Sequence, residues 1–106
     1  MAGAYDIFSI STVFAGEAVD LAAGAYADIR PAADEEASLQ YLCHEYPVEV
    51  YLYDGTNRIY VTGGPVTCMM GDGLPITNGA WVQVKNAHTM AQSVGWRGRY
   101  TKLNLP

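Results

Sequence analysis

Charge is scarce in this sequence. Only 16% of its residues are Asp, Glu, Lys or Arg, against about 25% in an average soluble protein. The basic residues Arg30, Arg58, Lys85, Arg97, Arg99 and Lys102 form no dense patch apart from the last few, and the formal net charge is −5. Nucleic-acid binding needs clustered positive charge to displace counterions from phosphates, so no nucleic-acid partner is expected. Long apolar runs are missing too. Nothing approaches the ~20 consecutive apolar residues of a membrane-spanning helix, and no membrane partner is expected. The segment Met1 to Phe14 has no basic n-region, and Asp6, Ser9 and Ser11 interrupt any h-region, so it does not read as a signal peptide. The chain is therefore expected to stay in a cytoplasm or in a particle assembled there.

Reactive side chains are equally sparse. Cys43 and Cys68 are the only cysteines, too far apart for a CxxC redox or zinc motif. Each has apolar neighbours, where a free thiol packs as a small hydrophobe. Buried reduced thiols are the main expectation, and a disulfide between two neighbouring strands is the alternative. There are two histidines, His44 and His88, neither with a partner at a diagnostic spacing. Cys43, His44 and Glu45 are consecutive, and in a strand consecutive residues point to opposite faces, so neither a Cys–His nor a His–Glu pair forms there. No GxSxG, HExxH or phosphate-cradling glycine loop occurs. The acids Asp34, Glu35 and Glu36 read as a solvated turn, because calcium asks for 6–8 oxygen ligands at alternating positions. The chain is not expected to be an enzyme, and no catalytic residue, cofactor or metal is assigned.

What the sequence does have is turns, tyrosines and alternation. Its 106 residues suit one domain, and half of them are apolar. A low charge fraction beside 8 Tyr and 11 Gly points to a surface that is partly interface. Short alternating runs with turn signals at close intervals are the mark of a sandwich or barrel. A first strand is expected from Tyr5 to Phe14, then two short strands between Ala18 and Ile29 with a bend near Gly24. Ser38 to Tyr46 is apolar on both faces and reads as a central strand, with a turn or two of helix over Ala32 to Tyr41 as the alternative.

The clearest unit is Val48 to Val61. Val48, Val50 and Leu52 alternate with Glu49, Tyr51 and Tyr53, Asp54-Gly55-Thr56-Asn57 turns, and Arg58 to Val61 returns. Asp-Gly between two such runs is a strong hairpin signal. Gly71 to Pro75 reads as a loop, Trp81 to Lys85 as a strand, and Thr89 to Leu105 as two strands with a turn at Arg97-Gly98. The expected fold is all-β, an antiparallel β-sandwich of about eight short strands, jelly-roll or Greek-key like. Residues 1–16 are expected to form an N-terminal strand or arm, and 17–106 a single sandwich domain.

The segments LAAGAYADIRPAADEE, PVEVYLYDGTNRIYV, ITNGAWVQVKNA and GWRGRYTK together resemble small β-sandwich virion proteins of tailed bacteriophages. The likeness covers about Leu21 to Lys102 and consists of turns and strand edges. It implies a head decoration or cement protein that binds the major capsid protein or other virion proteins. It also implies a virion location, assembly in the host cytoplasm, and a homo-oligomer, a trimer being favoured. Partner contacts are expected from the N-terminal arm, with Tyr5 and Phe8, and from the hairpin residues Tyr51, Tyr53 and Tyr60. The two tryptophans are expected to help fill the core. The alternative function is a carbohydrate-binding module on a head or tail fibre, where exposed rings stack on glycans.

Overall fold

The computed structural model describes residues 12–64 and 67–102, and of residues 67–72 it gives the backbone path alone. Among the described residues there are eight strands and no helix. They are β1 (Thr12–Leu21), β2 (Tyr26–Ile29), β3 (Glu35–His44), β4 (Val48–Tyr53), β5 (Arg58–Gly64), β6 (Thr67–Thr77), β7 (Trp81–Asn86) and β8 (Gln92–Lys102). They form two four-stranded sheets in the orders β1-β8-β3-β6 and β2-β7-β4-β5. Every strand pair is antiparallel.

Four of these pairings, β4 with β5, β3 with β6, β2 with β7 and β1 with β8, are those of one long hairpin. Its tip is the Asp-Gly turn. There the Asp54 carboxylate oxygen accepts from the amides of Thr56 at 2.9 Å and Asn57 at 2.7 Å, while Gly55 takes φ 96°, a conformation in which a side chain is strained. Rolling that hairpin over itself brings β8 beside β3 and β7 beside β4. The result is a jelly roll, as the sequence pattern predicts.

The core lies between the sheets. Ile29, Val48, Val50, Val82 and Val84 from one sheet meet Ala37, Leu39, Leu42, Ile76 and Val94 from the other. Each is the inward member of an alternating strand. Strand β3 holds its place by a bulge. Ala37 and Leu39 point inward, pairing slips between Leu39 and Tyr41, and beyond Gln40 the inward residues are Leu42 and His44. That phase change is why Ser38 to Tyr46 looks apolar on both faces, and no helix forms over Ala32 to Tyr41.

Polar side chains close one end of the sandwich. The fully buried Asn86 donates to the carbonyls of Leu21 at 2.8 Å and Met90 at 2.9 Å, and its oxygen accepts from the Gln92 side-chain amide at 2.7 Å. Gln92 in turn bonds the Pro47 carbonyl and the Tyr46 amide, each at 3.0 Å. A buried network satisfied in this way fixes the strand ends instead of penalising the fold.

Several local expectations are corrected. The first strand extends to Leu21 and passes straight through Gly16, because the Trp96 indole lies over that glycine and fills the place of its side chain. Residues 71–75 belong to β6 and not to a loop. Pro75 is tolerated because β6 is an edge strand. The expected turn at Arg97-Gly98 is absent, since β8 runs unbroken to Lys102 and Gly98 marks a close approach of Phe14 and the Ser38 carbonyl. Finally, Cys43 is disulfide-bonded, not a buried thiol. Its apolar neighbour Leu42 points inward while Cys43 points out, and the chain's other cysteine, Cys68, is its partner in the β3–β6 register.

Candidate functional site: the ring-lined outer face of one sheet

Strand alternation buries Ala27, Ile29, Val48, Val50, Val82 and Val84, so the intervening residues must cover the far side of the β2-β7-β4-β5 sheet. They are Tyr26 and Asp28 on β2, Trp81, Gln83 and Lys85 on β7, and Glu49, Tyr51 and Tyr53 on β4. The return strand β5 adds Arg58 opposite Tyr53 and Tyr60 opposite Tyr51. Arg30, just past β2, reaches over the edge.

These side chains hold one another in place. The Arg30 guanidinium sits 3.8 Å above the Trp81 ring, and its Nε donates to the Asn78 carbonyl at 2.8 Å. Arg58 lies 4.4 Å over Tyr53 and 4.5 Å over Tyr26, and its Nε donates to Gln83 Oε1 at 2.7 Å. Gln83 passes the chain on by donating to Asp28 Oδ1 at 2.7 Å, and the same oxygen accepts the Trp81 indole N–H at 3.2 Å. Asp28, itself exposed, is thus the carboxylate that ends this chain of bonds and anchors Gln83 and Trp81. Cation–ring contacts of this kind contribute about 0.5–2 kcal/mol each, more as they lose water.

The rings meet edge-on or tilted. Tyr53 and Trp81 cross at 77° with centroids 5.3 Å apart, Tyr51 and Tyr60 at 74° and 5.8 Å, and Tyr26 and Tyr51 at 58° and 6.2 Å. The Tyr51 hydroxyl donates to Glu49 Oε1 at 2.6 Å. That bond to a carboxylate is the main reason its ionisation is pushed up to about 12, with desolvation adding to it. Tyr60 is 58% exposed and Tyr26 38%, so the network ends in a solvent-facing aromatic crest.

Of the residues singled out from sequence, Tyr51, Tyr53 and Tyr60 stand together on this face. Tyr5 and Phe8 lie outside the described residues. The two tryptophans part company. Trp96 packs against the core as expected, whereas Trp81 is buried under Arg30 and Tyr53 on the outer face and corrects that expectation. Tyr26, Asp28, Arg30, Arg58 and Gln83 were missed. Strand parity alone carried the signal, because Trp81, Gln83 and Lys85 alternate with two valines. Among the described residues, no three His, Cys, Asp or Glu side chains gather where they would hold a metal.

No protein-family model matches the chain. No curated protein is significantly similar to it in sequence. The site must therefore be read from its own chemistry.

Proposed function

We propose that this protein is a structural component of a bacteriophage virion, a decoration or cement protein that binds the major capsid protein with the outer face of its β2-β7-β4-β5 sheet. The observation that carries this reading is the preformed layer of Tyr, Trp and Arg on that face. Those three residue types dominate the energetically important centres of protein interfaces. Here they are already locked by hydrogen bonds and cation–ring contacts, so little side-chain freedom remains to be lost on docking.

Charge supports the same reading. Arg30, Arg58 and Lys85 stand among Asp28 and Glu49, three cations against two anions, so the face has both signs and a small net charge. The phage assignment itself rests on the resemblance of the turn and hairpin segments, and the jelly roll agrees with it as an architecture used in viral capsids. A carbohydrate platform fits this face less well. Sugars stack on the flat of an aromatic ring, and a guanidinium already lies over one face of Trp81, Tyr53 and Tyr26.

Four strands about 4.8 Å apart and six residues long present roughly 400 Å² of plan area. A standard interface buries about 800 Å² per partner, so a second contact element is needed, and the N-terminal arm is the expected one. The test is co-sedimentation of purified protein with undecorated capsid shells, with light scattering to give its mass alone. Wild type should pellet with shells, and Y60A/R58A should stay in the supernatant with its fold intact. A protein that ignores shells, or a double variant that still decorates them, sinks the reading.

A further inference from the structure

The opposite sheet carries a second feature that the proposed docking face does not use. On the outer side of β1-β8-β3-β6 lies a groove of about 570 Å³ walled by Glu17, Tyr41, Cys43 and Arg97, with Gly95 in its floor. The register places Gly95 directly between Glu17 of β1 and Cys43 of β3. Arg97 is two residues further along the same strand and directly beside Tyr41.

Among the described residues, no neighbour requires Gly95 to be a glycine. It is not among the residues with positive φ. Among the described residues, a Cβ built on it would meet only the Gly16 carbonyl oxygen, at 4.0 Å. The other glycines of this strand pair behave differently. Gly16 lies under Trp96, and Gly98 is pressed by Phe14 and Ser38. A glycine inside a strand weakens it, and it often marks a bulge, a bend or the close approach of a ligand or another backbone. The space above Gly95 is what its missing side chain keeps open.

The groove's polar groups are also idle. Among the described residues, the side chains of Glu17, Tyr41 and Arg97 have no hydrogen bond or ion pair. On the other sheet, by contrast, Arg30 and Arg58 each hold a hydrogen bond and lie over an aromatic ring. The groove thus offers a carboxylate acceptor, a guanidinium with five donors and a 38% exposed tyrosine ring around an open floor.

The geometry points to a monosaccharide-sized site over Gly95. An anion would face Glu17 and a cation would face Arg97, so the fitting occupant carries no net charge and both donates and accepts. Vicinal hydroxyls of a pyranose supply donors to the Glu17 carboxylate and acceptors to the Arg97 guanidinium, and its C–H face packs on Tyr41. The volume falls within the range of small-molecule sites. This site is independent of the capsid-docking face, since it lies on the other sheet.

The test is an amide-resolved NMR titration of the whole protein with glucose, galactose, mannose and N-acetylglucosamine. For at least one sugar, the amides of Glu17, Tyr41 and Gly95 should shift saturably. Gly95→Val should weaken that binding at least tenfold while the Tm stays level or rises by roughly 2–8 °C, because a strand glycine is being replaced. E17Q/R97Q, which leaves the floor untouched, should lose binding as well. The proposal is overturned if no sugar gives saturable shifts, if binding survives in either variant, or if free glycine, a zwitterion, shifts these amides when the sugars do not.

Discussion

Gly98→Ala is the sharpest perturbation of this fold. Gly98 lies on β8 with Phe14 of β1 on one side and Leu39 of β3 on the other. An added Cβ would meet the Phe14 ring at 2.6 and 2.9 Å and would press into the backbone carbonyl of Ser38. The ring can swing aside at modest cost. The carbonyl cannot, because it belongs to β3, the strand that β8 pairs with. Overpacking costs about 1–3 kcal/mol, and a backbone neighbour places this case at the upper end. Replacing a strand glycine otherwise returns about 0.5–1 kcal/mol. The net expectation is a loss of about 2 kcal/mol, which is roughly 8–16 °C in Tm for a domain of this size. Urea denaturation read by circular dichroism gives the same quantity as a lower midpoint at unchanged slope. Phe14→Ala in the Gly98→Ala background should relieve the ring contact and leave the Ser38 contact, so it recovers only part of the loss in a double-mutant cycle. A Gly98→Ala protein within about 0.5 kcal/mol of wild type would refute the reasoning, because the two strands would then be free to separate.

Removing the Cys43 disulfide, by Cys43→Ser or by reductant, opens a loop of roughly 25 residues and should cost about 3–4 kcal/mol. Equal urea midpoints with and without reductant would show that strand pairing alone confines that loop. Tyr51 should ionise late, near 12, and E49Q should bring it back toward 10 in an ultraviolet titration. The raised value favours the protonated form in the fold, so this contribution is complete below pH 10 and is lost as pH rises through about 12. Asp54 is held below its ordinary 3.8 by the amides of Asn57 and Thr56. Its contribution is complete above 3.8 and is lost as pH falls through the lower native value. D54N should therefore flatten that part of the acid limb of a stability-against-pH curve, and an unchanged limb would assign it to other carboxylates.

Much of this fold was legible because alternation and turn chemistry act locally. Val48 to Val61 carries its hairpin in fourteen adjacent residues, and the structure places Tyr51, Tyr53 and Tyr60 where parity puts them. What was not legible depends on a neighbour distant in sequence. Gly98 reads as a turn until Phe14 and Ser38 are seen against it. Residues 71–75 read as a loop until β3 is seen to pair with them. The Cys43–Cys68 juxtaposition follows from the β3–β6 register, which no local signal sets. Trp81 was misplaced for a simpler reason. A large aromatic reads as core, and its own strand's parity, with Val82 and Val84 inside, was the better guide.

The nesting of strand pairs also bears on the order in which they form. Among the described strand pairs, only β4 and β5 are consecutive in sequence, and such hairpins close in about 1–10 μs. Each further pair needs a longer loop closed, out to Leu21 beside Gln92. A chain wound in this way has a high contact order and folds in milliseconds to seconds. If the tip forms before the outer strands join, substitutions at Asp54 or Gly55 slow folding, whereas those along β1 and β8 mainly hasten unfolding. The outermost pair, last to close, would then govern how long the folded protein survives.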